Sequence, residues 1–248
     1  MLTTRVRRWA AWAPACPDTA AWEAWATNPG PIGTDGHPDA RFLPPMLRRR
    51  CTPLTRMMLT AAFSCCDEDE RAEVRTVFAS RHGSINDSIV LLEALVRGER
   101  ISPAKFSHTV HNAQAGLFSI AAGNRQASSS LSARADTFGS AYLEALTHLD
   151  REPDRPVLLV VGDVPLDATF APLVHEAVAG YALALLLTHH GEGEEIALAV
   201  GETTASSAHP PWPDAIEFLR WLLAREAALT LRGGRCAWSW TRAGARAA

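Results

Sequence analysis

Four serines crowd positions 128, 129, 130 and 132, and the turn Ser132-Ala133-Arg134-Ala135-Asp136 follows at once. A strand that turns sharply into a buried helix sets a side chain at the helix N-terminus. Free N–H groups and a partial positive charge there favour a thiolate or an oxyanion. This turn contains no cysteine. Arg134 reads either as a surface residue or as a replacement standing where a reactive thiol would sit, and the local context leaves both open. A serine of the 128–132 run could act only with an oriented base, and no Ser-His-Asp order can be nominated. His108 and His111, spaced i, i+3 beside Asn112, could line a polar site or serve packing and capping. His189 and His190 precede Gly-Glu-Gly-Glu-Glu. Neighbours on a strand point to opposite faces, so this reads as a surface turn, and no metal site is expected.

Arg48, Arg49 and Arg50, with Arg56 one turn into a following helix, form a basic run. Clustered guanidinium groups suit phosphate or an acidic partner surface. The other reading is a solvated cluster, or pairing with the acidic stretch Asp67-Glu68-Asp69-Glu70. The chain lacks G-x-x-x-x-G-K-[ST], G-x-G-x-x-G after a strand, G-x-S-x-G and H-E-x-x-H. The simplest nucleotide-binding, hydrolase and zinc-protease readings therefore fall away, and no cofactor is expected.

The elements that must position these residues read as follows. Asp136 opens a helix carrying Phe138, Ala141, Tyr142 and Ala145 at helical spacing. Before it, Ser102 to Ala122 reads as one helix with small residues on its faces. Arg5 to Ala13 reads as a first strand whose arginines suit an edge. Asp18 or Thr19 caps a short helix, and 28–45 is a loop rich in Gly, Pro and Asp. Thr52 as N-cap and Pro53 at the first position open a helix burying Leu54, Met57, Met58, Ala61 and Ala62. Asp67 to Val74 is a charged connection. Val74 to Ala79 reads as a central strand, and Ile85 to Arg97 as an amphipathic helix ended by Gly98. Pro156 to Val164 is a continuous apolar run of the kind buried on both faces. Tyr181 to Thr188 and Glu195 to Val200 read as a strand pair, Asp214 to Glu226 as a helix, and Arg235 to Thr241 as a last edge strand. Helices alternating with strands point to a layered α/β fold, with helices on both faces of the sheet.

The chain has 248 residues, 47% of them hydrophobic, which suits one domain over 1–248 with a substantial core. A net charge of -3 gives no reason to expect nucleic acid. No apolar run reaches the length of a membrane span, and MLTTRVRRWAAWAPA is a poor signal peptide. The five cysteines make no C-x-x-C pair and read as free thiols in a reducing compartment, so a cytoplasmic protein is expected.

Several stretches resemble β-ketoacyl synthases. RRRCTPLTRMMLTAA resembles their arginine-rich helix start. ISPAKFSHTVHNAQAGLFSIAAG resembles their SP-x-x-F-x-x-S-V-H-N-x-x-A-G segment. SSSLSARADTFGSAYLEAL lies in the place of the nucleophile strand, elbow and helix, and PVLLVVGDV and GYALALLLT resemble later strands. The resemblance implies a thiolase-like α/β fold of the ketosynthase N-terminal-half type. It places Arg134 where active members hold the acyl-accepting cysteine, and implies that their catalytic histidines belong to a second half. Cysteine, histidines and oxyanion donors act as a unit in such condensations, so no catalysis is expected of this chain by itself. Its features are similar to those of short, cysteine-less chain length factors, as in aryl polyene biosynthesis, which pair with an active ketosynthase and wall off the acyl tunnel. The resemblance then implies tunnel or interface roles for Phe106, His108, His111, Asn112, Phe118, Arg134 and Phe138. It implies contacts to an acyl carrier protein or partner for Arg48, Arg49, Arg50 and Arg56. The alternatives are an acyltransferase or thioesterase using a serine near the elbow, and a homodimer that only scaffolds carrier proteins.

Overall fold

The computed structural model describes residues 2–170, 179–203 and 211–243. Its frame is an eight-stranded sheet in the order β3-β2-β4-β5-β1-β6-β8-β7. The strands are β1 Leu2–Trp12, β2 Arg75–Ala79, β3 Ser128–Leu131, β4 Val157–Asp163, β5 Tyr181–Thr188, β6 Glu194–Glu202, β7 Ala228–Arg232 and β8 Cys236–Arg242. β3, β2 and β4 run parallel and the remaining pairs antiparallel.

Both faces of the central strands are buried. On β5, Ala182, Ala184 and Leu186 join one apolar cluster, while Leu183, Leu185 and Leu187 join the other. On β4, Leu158 and Val160 face one way, and Val157, Leu159 and Val161 the other. A period-two chain that is apolar at every position needs a helical layer on each side. One layer holds α3 (Pro53–Cys65), whose Leu54, Met57, Met58, Ala61 and Ala62 are buried, and α7 (Ala113–Ala122). The other holds α1 (Thr19–Thr27), α8 (Thr137–Arg151) and α9 (Asp214–Ala224). Caps fix the helix starts. Asp18 accepts from the backbone N–H of Ala21, and Thr52 from that of Thr55, with Pro53 beginning the helix. At the far end of α8, the buried Arg75 donates to the carbonyls of His148, Glu152 and Arg155, a cation at a helix C-terminus.

Several expectations need correction. β1 is not an edge strand but lies between β5 and β6. Its arginines are tolerated inside the sheet because each finds an acid: Arg5 pairs with Glu195, Arg7 with Glu70, and Arg8 with Asp67 and Glu70. The acidic stretch is itself a short helix, α4 (Glu68–Glu73), closed by a capping box between Asp67 and Glu70. The strands β5 and β6 follow each other along the chain, yet β1 inserts between them. Finally, β8 is not an edge, since β7 flanks it.

The stretch 102–122 is not one helix. α6 (Pro103–Phe106) is one turn, and α7 starts only at Ala113. Ser102 caps the first, and Ser107 and Thr109 turn their hydroxyls back onto the carbonyls of Ala104 and Phe106. Such side-chain bonds compete with helix continuation. Pro44 keeps an extended backbone (ψ 140°), and Pro45 begins the four-residue α2 (Pro45–Arg48). The helix expected over 85–97 is present as α5 (Ile85–Val96). It buries only Leu91 fully, and leaves Leu92 61% and Val96 88% exposed.

Candidate functional site

The parallel strands β2, β3 and β4 deliver their C-terminal ends to one edge of the sheet, where the turn between β3 and α8 forms an elbow. Arg134 stands at its tip, exposed, with φ 55°. A non-glycine residue in the left-handed region costs about 1 kcal/mol, so surrounding contacts must hold it there. Those contacts are specific. The Thr137 hydroxyl accepts from the Ala133 N–H at 3.0 Å and donates to the Arg134 carbonyl at 2.6 Å. The Ser132 hydroxyl donates to the Arg81 carbonyl at 2.9 Å, tying the tip to the end of β2. The Arg134 side chain makes no hydrogen bond or ion pair among the described residues, and no cysteine or histidine side chain is hydrogen-bonded to residues 132–137 there.

Near the tip, Asp136 is buried and Asp163 and Asp214 are half-buried, with the Arg81 guanidinium close enough to act on the last two. Asp163, at the end of β4, accepts from the Ser80 hydroxyl at 2.7 Å and from the backbone N–H groups of Arg81 and His82 at 3.0 Å each. Burial nevertheless raises its carboxyl, and burial lowers the imidazole of His82. Asp214, the first residue of α9, is pushed up to about 7 by burial and by the charges of Asp136 and Glu217, with Arg81 opposing. Asp136 accepts from the Trp238 indole N–H at 2.9 Å and from the Arg235 and Cys236 backbone N–H groups at 3.0 and 3.4 Å.

The other expected residues are scattered. Phe118 is buried between Phe63 and Phe78, with ring centroids 5.9 and 5.6 Å away. Phe138 packs against Tyr142, Phe218 and Trp240 on the opposite face. Both are core residues. His108 and His111 do not share a helical face, because they fall in the turn between α6 and α7. The ring Nε2 of His111 meets the Ser80 carbonyl at 3.2 Å. Burial and the nearby Arg50 lower the His108 imidazole, and Asp87 opposes them. Asn112 is exposed and stands at the start of α7 without a side-chain cap bond. Phe106 is 60% exposed on α6. Arg48, Arg49 and Arg50 make no ion pair among the described residues, and Arg56 reaches the Arg48 carbonyl at 3.4 Å. Of the alternatives, pairing with the acidic stretch is not found, since Arg7 and Arg8 take those carboxylates. The rings of His189 and His190 stack on each other at 4.5 Å.

The serine run also resolves. Ser129 donates to Glu144 at 2.8 Å and lies 3.2 Å from Nε2 of His148, while the same Nε2 lies 3.2 Å from the same Glu144 oxygen. Serine and acid thus address one imidazole nitrogen. A nucleophilic triad needs the acid on the other nitrogen to fix the tautomer. Glu144 and His148 also sit two turns and more along α8, away from its tip. Sequence reasoning missed Asp136, Trp238, Arg81, Asp163 and Asp214. The only signal was Gly233-Gly234 ahead of an alternating tryptophan strand.

A mixed sheet covered on both faces, with a strained elbow where a parallel strand meets a buried helix, defines a layered thiolase-type α/β protein. The chain belongs to the β-ketoacyl synthase family: the model of the β-ketoacyl synthase N-terminal domain matches residues 22–241. Among solved structures it is similar to a chain of the "Ketosynthase (ApeO) in Complex with its Chain Length Factor (ApeC)" from Xenorhabdus doucetiae. The identity is 28% and the TM-score 0.83, over 98% of this chain and 100% of that one. The ishigamide ketosynthase/chain length factor matches at 15% identity and TM-score 0.62, over 81% of this chain and 67% of that one. A complex of a type II PKS acyl-carrier protein with its ketosynthase matches at 12% and 0.71, over 97% and 99%. These last two likenesses show the fold alone. No curated protein matches the chain. No helix among the described residues is long and apolar enough to cross a membrane.

Proposed function

We propose that this chain is a non-catalytic chain length factor, a cytoplasmic single-domain subunit that pairs with an active β-ketoacyl synthase and shapes the tunnel of the growing acyl chain. The observation that carries this reading is the elbow. Its backbone has a strained form suited to presenting a nucleophile, yet Arg134 stands at the tip with no thiol or imidazole bonded to it among the described residues. The half-buried Cys236 packs against the apolar core from the neighbouring hairpin. A surface for the partner is available: Val90, Leu92, Leu95 and Val96 of α5, Phe106 of α6 and Ile120 of α7 are exposed and apolar. Exposed apolar area of this kind marks interaction sites. The likeness to a ketosynthase–chain length factor complex supports pairing with a ketosynthase, and the aryl polyene setting rests on the sequence resemblance alone. His108, His111, Asn112, Phe106 and Arg134 remain the interface candidates. Phe118 and Phe138 act through packing. Arg48, Arg49, Arg50 and Arg56 suit an acyl carrier protein.

Co-expression with the cognate ketosynthase, followed by sizing, tests the reading and should give a heterodimer. Incubation of the isolated chain with acyl-thioesters, read by intact mass, should give no covalent adduct. An adduct on Ser129 would instead favour the second reading, an acyltransferase or thioesterase built on Ser129, Glu144 and His148. The shared imidazole nitrogen makes that the weaker arrangement.

A further inference from the structure

We propose that Asp136 is a positioning residue: by latching the β7–β8 hairpin to the base of the elbow, it sets the direction in which the side chain of residue 134 leaves the protein. Asp136 directly precedes the first residue of α8, where an aspartate ordinarily caps the free N–H groups of its own helix. It makes no such cap bond. Both carboxylate oxygens turn outward to three donors of the hairpin: the Trp238 indole and the Arg235 and Cys236 amides. The carboxylate is buried, so the loss of any of these bonds leaves a desolvated group behind.

The fit around the latch allows no extra atom on either side. A Cβ on Gly233 would come within 1.8 Å of Oδ1 of Asp136, and one on Gly139 within 2.1 Å of the Trp238 ring. Hairpin and helix are therefore shaped to one another at the latch. The tip is fixed from two directions besides the Ser132 tie to β2. Thr137 holds the Ala133 amide and the Arg134 carbonyl from within the turn, and Asp136 holds the following residues to the hairpin. Since the Arg134 side chain has no partner among the described residues, only its backbone decides where it points. A left-handed residue keeps that backbone only while its surroundings over-determine it. In this chain a strand pair about a hundred residues further on supplies part of that constraint. The inference concerns the elbow itself and needs no partner, so it stands or falls separately from the chain length factor reading.

The test places a nitroxide label at the tip through Arg134→Cys, in a Cys236→Ser background that removes the half-exposed thiol. Label mobility is read by electron paramagnetic resonance in the full chain. Asp136→Asn turns an amide NH2 against a backbone donor, Arg235 or Cys236, whichever way the amide is oriented, and Trp238→Phe removes one donor while keeping the carboxylate. Each should mobilise the label several-fold while the fold, followed by circular dichroism, persists. Met57→Ala, a core truncation on the opposite face of the sheet, should leave the label unchanged. If Asp136→Asn does not fold, Trp238→Phe alone decides the matter. An immobile label in Trp238→Phe, or equal mobilisation by Met57→Ala, would overturn the proposal.

Discussion

A single carboxyl shows how the neighbourhood of the elbow is tuned. Asp214 is raised from the ordinary 3.8 to about 7, first because burial disfavours its charge, and then because Asp136 and Glu217 repel it. An acid whose folded value is raised favours the folded state fully only below its unfolded value. That contribution is lost as pH climbs from about 4 through 7. Asp214→Asn cannot ionise and should therefore gain on the natural protein as pH rises. Thermal melts at pH 5 and pH 8 should show a larger stability advantage for the variant at pH 8, and an equal difference at both would refute the assignment. Arg134 illustrates a second residue-scale point. Its type shows only that a thiol is absent. Its left-handed backbone adds that the turn is still held in a strained form.

Among elements, α8 is gripped at both ends by parts of the chain remote in sequence. Its start is held by the β7–β8 hairpin through Asp136, and its end by Arg75 of β2 through three carbonyls. Arg75→Met would leave those carbonyls without their charged donor in a buried setting. It should lower unfolding stability by about 3 kcal/mol in a denaturant titration. A loss under a few tenths would mean that water replaces the guanidinium. The break between α6 and α7 is the element-scale surprise. Small residues and helical spacing over 102–122 suggested continuity, but serine and threonine hydroxyls turned back onto the backbone ended the first turn. α5 has the periodicity of an amphipathic helix, yet its apolar side is largely outside. Periodicity gives a face but not the direction in which it points.

At the scale of the whole molecule, the apolar surface of α5, α6 and α7 is what a partner must cover if the proposed pairing holds. Leu92→Asp with Leu95→Asp should leave the melting temperature of the isolated chain nearly unchanged, because both side chains are already in solvent. The same pair should abolish heterodimer formation on sizing, and persistence of the complex would move the interface elsewhere. The sequence by itself determined the layered α/β class, the buried strand β4, the presence of strand β5, the capped starts of α1 and α3, and the absence of a cysteine from the elbow turn. Each of these is written in local periodicity, capping chemistry or residue type, which act between near neighbours. Only the tertiary structure decided that β1 threads between β5 and β6, that Arg7 and Arg8 rather than Arg48 to Arg50 pair with the acidic stretch, and that Asp136 meets Trp238. Strand order, charge pairing and the latch join residues from about sixty to almost two hundred positions apart. Partners at such distances are chosen by global packing, for which a linear pattern carries no mark.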